Sequence, residues 1–114
     1  MASITGVIYT PSKQLVAYGG VFLGPTTNNV VEYSVVIELL WDATLCGITH
    51  LEFRIDSQIM VSQLNGDYQV QNTNLLHQFL CVRLLERNFE YIAYSQISRN
   101  QNRIADAYAN YILD

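Results

Sequence analysis

Apolar and polar positions along this chain alternate between two periods, and the points where the period changes mark out the elements. Residues 2–9 are rich in β-branched and other apolar side chains, and residues 15–22 repeat that character. Between them, Thr10-Pro11-Ser12-Lys13 places proline at the second position of a turn, where its fixed backbone angle is favoured, so the pair reads as a β-hairpin stopped by Gly24-Pro25. From Glu32 the steps to Val35, Val36, Leu39 and Ala43 follow the three-and-four rhythm of a buried helix face. They predict a helix from Val30 to Cys46, with Gly47 as its C-terminal stop.

The alternation then returns to period two. Leu51, Phe53 and Ile55 share one face of a third strand, while Glu52, Arg54 and Asp56 share the other. A short helix from Ser57 to Leu64 follows, closed by Asn65-Gly66, and a longer one spans Asn74 to Arg87 with its core face expected at Leu76, Phe79, Leu80 and Leu84. Tyr91 to Ile97 reads as a fourth strand, and a last helix starts near Asn100 with Ile104, Tyr108 and Tyr111 as its packing stripe. A hairpin followed by alternating helices and strands predicts an α/β fold, a mixed sheet with helices on its faces.

Composition narrows the class. With 114 residues, half of them hydrophobic and 14% charged, the chain suits one compact domain, 1–114, with a real core. No apolar run approaches the roughly 20 residues needed to cross a bilayer. The start also lacks the basic residues and apolar block of a secretory signal. The expectation is a soluble, intracellular protein without a membrane partner, its compartment among nucleus, organelle and cytoplasm unresolved. Cys46 and Cys81 fall inside helical patterns, far from any Cys-x-x-Cys spacing, and are expected to be buried reduced thiols. A net charge of −4 argues against a sequence-independent electrostatic grip on nucleic acid, although acids gathered around divalent cations would account for part of it.

Three acids have two readings each. Glu32 heads an apolar stripe directly after Thr26-Thr27-Asn28-Asn29. It is either the N3 partner of an Asn29 cap or a metal ligand at the lip of the core, with Asn28 and Asn29 touching a polar substrate. Asp56 is either the N-cap of the short helix or a ligand at the carboxyl end of a strand, where open α/β sheets bind; Ser57 and Gln58 add polar groups beside it. Asp106 shares a helix face with Asn102, flanked by the small residues Ala105 and Ala109. Alone it reads as a solvated helix aspartate.

Taken together, Thr27-Asn28-Asn29-x-x-Glu32, Asp56-Ser57-Gln58 and Asn102-x-x-x-Asp106 occur in the order and approximate spacing of the ribonuclease H family, which the whole chain resembles. Leu64-Asn65-Gly66-Asp67-Tyr68 and Ser98 to Asn102 extend the likeness, which is greatest to the compact, reverse-transcriptase-associated branch found in plants, archaea and retroelements. The resemblance implies that Glu32, Asp56 and Asp106 match three of four metal-binding carboxylates. It also implies two magnesium (or manganese) ions as cofactors and hydrolysis of the RNA strand of an RNA–DNA hybrid. Thr27, Asn28, Asn29, Ser57 and Gln58 would then contact the hybrid, and Asn102 matches a polar residue near the fourth carboxylate. Neither His50 nor His77 matches the loop histidine of some members.

One departure stands out. The family's first, central strand carries an aspartate that bridges both metals, whereas residues 2–9 here match the second strand and no aspartate precedes Asp42. The expectation is that hydrolysis is abolished or nearly so, and that cation binding is weakened. The chain is then either an N-terminally truncated piece of a longer protein, or the gap in the sheet is filled by rearranged pairing or by a strand from a second copy, giving a homo-oligomer. The alternative function is a non-catalytic module for binding nucleic acid or protein.

Overall fold

The computed structural model describes residues 3–9, 15–22 and 29–96. The expected 10–13 turn, the Gly24-Pro25 stop, Thr27, Asn28 and the final helix with Asn102 and Asp106 lie outside these residues. The observed order is β1 (Ser3–Tyr9), β2 (Leu15–Phe22), α1 (Asn29–Leu45), β3 (His50–Ile55), α2 (Gln58–Leu64), α3 (Thr73–Glu86) and β4 (Tyr91–Gln96). Each predicted element among the described residues is present, with bounds within a residue or two.

The four strands form one sheet in the order β2-β1-β3-β4. β1 runs antiparallel to β2, with a register shift between Gly6 and Val7, and β3 runs parallel to β4. β1 is also hydrogen-bonded directly to β3, antiparallel, from Ile4 opposite Ile55 to Ile8 opposite Leu51. The place beside β3 is thus taken by the hairpin itself, a rearranged pairing. It satisfies backbone groups that would otherwise be buried without partners, at about 1–3 kcal/mol each.

Alternation in β3 sends Leu51, Phe53 and Ile55 into the core and leaves Glu52 and Arg54 half-buried on the opposite face. The core side is covered by α1 through Tyr33, Val36, Leu40 and Ala43, by α2 through Met60 and Leu64, and by α3 through Val82. Phe53 and Tyr94 stack across β3 and β4, with centroids 5.4 Å apart. α1 ends as its glycine predicts. Gly47 has φ of 76°, which a side chain would oppose, and the amides of Gly47 and Ile48 bond back to the carbonyls of Thr44 and Ala43 at 3.1 and 3.0 Å.

Two expectations are corrected. α3 does not bury the predicted stripe: Leu76, Leu80 and Leu84 are exposed, and the helix buries Leu75 and Val82, with Phe79 half-buried. Leucines occur around this helix, so spacing alone does not choose the inward arc. Polar anchors do. Gln78 Nε2 donates to Ser34 Oγ on α1 at 2.8 Å, and Arg83 donates to Glu86 and to the carbonyl of Leu64. The cysteines are free but exposed, not buried: Cys46 follows the last residue of α1, and Cys81 falls on the outward side of α3.

Candidate nucleic-acid and cation site

Glu32 is in the first turn of α1, with the helix beginning at Asn29, so Asn29 is the first helical residue and not the one that precedes it. Glu32 is 6% exposed, and its Oε2 atom is buried with no hydrogen-bond partner among the described residues. A buried carboxylate oxygen in that state costs free energy unless a ligand satisfies it.

Asp56 directly follows the last residue of β3. Its capping reading is corrected. The N-cap of α2 is Ser57, in an extended conformation, with its hydroxyl accepting from the amide of Met60 at 3.4 Å. Ser57 is thereby assigned a structural task. Burial first, and then the charge of Asp56, push the Glu32 carboxyl above its ordinary range. The two acids stand 24 positions apart in sequence (56 − 32), one in the first turn of α1 and one just after β3, and the fold brings them close enough for the charge of Asp56 to act on Glu32. Gln58 is exposed in the first turn of α2, and Asn29 is half-buried at the start of α1, both on the segments that carry the acids.

Sequence reading overlooked Tyr33. It is fully buried next to Glu32, and its hydroxyl donates to Gln63 Oε1 on α2 at 2.9 Å. Burial, countered by the Arg83 guanidinium and assisted by the Glu32 charge, raises its pKa to about 12, so it remains a donor at working pH. A tyrosine next to Glu32 in an apolar helical run gave no signal of which partner its hydroxyl would find. Behind it, Tyr94 donates to Glu86 Oε2 at 2.6 Å, and Asn65 Nδ2 donates to the Tyr94 carbonyl at 3.1 Å. Burial and the bond to Glu86 raise the Tyr94 pKa.

The donor set fits a hard divalent cation. It offers two carboxylates from separate elements, one of them with an unsatisfied buried oxygen. Among the described residues no group of three or more such ligands occurs. No helix among them is long and apolar enough to cross a membrane.

A mixed sheet covered by helices, with one acid in the first turn of α1 and another at the end of β3, is the ribonuclease H class of fold. The sequence profile described as reverse transcriptase-like matches residues 1–112. The chain is 35% identical over 92 residues to a bifunctional protein of Mycobacterium tuberculosis, covering 81% of this chain and 25% of that relative, so it spans about a quarter of the relative's length. Among solved structures it is similar to RNase H1 from the halophilic archaeon Halobacterium salinarum NRC-1, with TM-score 0.69 and 33% identity over 97% of this chain and 85% of that one. It is also similar to LC11-RNase H1 in complex with RNA/DNA hybrid, with TM-score 0.67 and 26% identity over 97% of this chain and 88% of that one. The chain belongs to the reverse transcriptase-like branch of the ribonuclease H family.

Proposed function

We propose that this domain binds RNA–DNA hybrids at the edge marked by Glu32 and Asp56, holds a divalent cation there, and hydrolyses the RNA strand weakly or not at all. The buried, unsatisfied Oε2 of Glu32 beside the charge of Asp56 is the observation that carries this reading. Glu32 and Asp56 would hold magnesium or manganese, and Asp106 is proposed as a third ligand. A cation bound there would lower the pKa of an attacking water and stabilise the leaving oxygen. Thr27, Asn28, Asn29, Gln58 and Asn102 are proposed to contact the hybrid, with Ser57 holding the turn between β3 and α2. The hybrid-bound neighbour supports this choice of partner.

Weak hydrolysis is supported by the strand beside β3. β1 carries no acid over Ser3–Tyr9, so that strand contributes no further carboxylate next to Asp56. Cleavage of an end-labelled hybrid in magnesium or manganese, with binding measured in parallel by fluorescence anisotropy, tests both parts. Measurable hybrid binding with little cleavage is expected. Rapid turnover would overturn the weak-hydrolysis proposal, and failure to bind hybrid would overturn the choice of partner. A second reading, a protein-interaction module with self-association among its outcomes, is favoured by the exposed leucines of α3, because apolar surface of that kind marks contact sites.

A further inference from the structure

The hydrogen bond from Tyr33 to Gln63 joins the two parts of the chain that carry the acids. Tyr33 adjoins Glu32 on α1, and Gln63 belongs to α2, the helix that begins two residues after Asp56. The partners are 30 residues apart in sequence, and their bond is 2.9 Å long. α2 has only seven residues, about 10 Å of helix, so a constraint near its C-terminal end is transmitted to its N-terminal end.

That C-terminal end is also held from the other side. Arg83 donates to the carbonyl of Leu64, and Asn65 donates to the carbonyl of Tyr94. These contacts tie α2 to α3 and β4, and the Tyr33 bond ties it to the turn that bears Glu32.

We infer that Tyr33 is a positioning residue: by holding α2 against the first turn of α1, its hydroxyl sets the separation of Glu32 and Asp56 and so their fit to a divalent cation. The inference rests on reading that pair as a cation site. Cation sites tolerate displacements of only about half an ångström, and residues that orient ligands without touching the metal typically alter affinity 10- to 100-fold when mutated. The phenol is fully buried, so its loss is not made good by solvent.

The test is calorimetric titration of the full chain with manganese chloride, accompanied by thermal melts. Tyr33→Phe keeps the packed ring and removes the donor; Gln63→Met removes the acceptor. Each is expected to weaken manganese binding about tenfold, and the double variant no further. Asn72→Ala is the control, because it removes the N-cap bonds of α3, which involve neither α2 nor the first turn of α1. It is expected to lower the melting temperature while leaving manganese affinity unchanged. Unchanged affinity in Tyr33→Phe, or an equal loss in Asn72→Ala, would overturn the inference. Absence of binding by the unmodified chain would overturn the cation-site reading itself, and the inference with it.

Discussion

The charge of Asp56 reaches Glu32 and adds to burial in holding the Glu32 carboxyl protonated above its ordinary range. Two acids that repel each other at a sheet edge destabilise the fold unless something positive lies between them.

The pH dependence follows from that relationship. The ordinary value for Glu32 is 4.5, and its folded value is higher. As pH rises from 4.5 through the folded value, the native state holds a proton that the unfolded state has released, so stability falls across this window and the loss persists above it. Glu32→Gln removes the buried charge and is expected to gain about 1 kcal/mol at neutral pH, roughly 4 °C in melting temperature, while abolishing cation binding. Calorimetric scans at several pH values check this; a lower melting temperature at neutral pH would contradict it.

Asp56→Asn separates the two causes. Without the Asp56 charge, the Glu32 pKa is expected to fall but to stay above its ordinary value, because burial is the larger cause. Carboxyl carbon NMR titration of Glu32 reads this directly. A return to the ordinary value would assign the whole shift to Asp56.

The two helix caps give a graded stability test. Asn72 Oδ1 accepts from the amides of Asn74 and Leu75 at 2.9 and 3.3 Å, whereas Ser57 accepts one bond at 3.4 Å. Cap removal costs about 0.5–2 kcal/mol. Asn72→Ala is expected near the upper end of that range and Ser57→Ala near the lower in urea melts. The reverse order would show that the Ser57 turn is held more firmly than its geometry indicates.

The rotation of α3 is tested by a pair of substitutions. Leu80→Gln on the exposed arc is expected to change stability by less than about 0.5 kcal/mol, and Val82→Ala on the buried arc to cost about 1–3 kcal/mol. Equal costs at both positions would place the inward arc between them.

Element type and order were legible in the sequence because they follow from local rules. Period-two alternation in β3 and the three-and-four rhythm of α1 report on burial directly, and Gly47 stops α1 because its positive φ suits the absence of a Cβ. The acids at positions 32 and 56 were visible as carboxylates in places that apolar or capping residues usually hold. Their two readings could not be separated there, since a cap and a ligand use the same side chains.

Tertiary structure decided the rest. Which arc of α3 turns inward depends on anchors supplied by Ser34 and Leu64, far away in sequence, and the capping of α2 by Ser57 depends on the backbone path out of β3. The direct pairing of β1 with β3 is a contact between strands more than forty residues apart, with no local signature. Local periodicity determined what each segment of this protein is. Only long-range packing decided which side chains meet, because hydrogen bonds and charges act through space, and residues such as Glu32, Asp56, Tyr33 and Gln63 become neighbours once the sheet and its helices have closed.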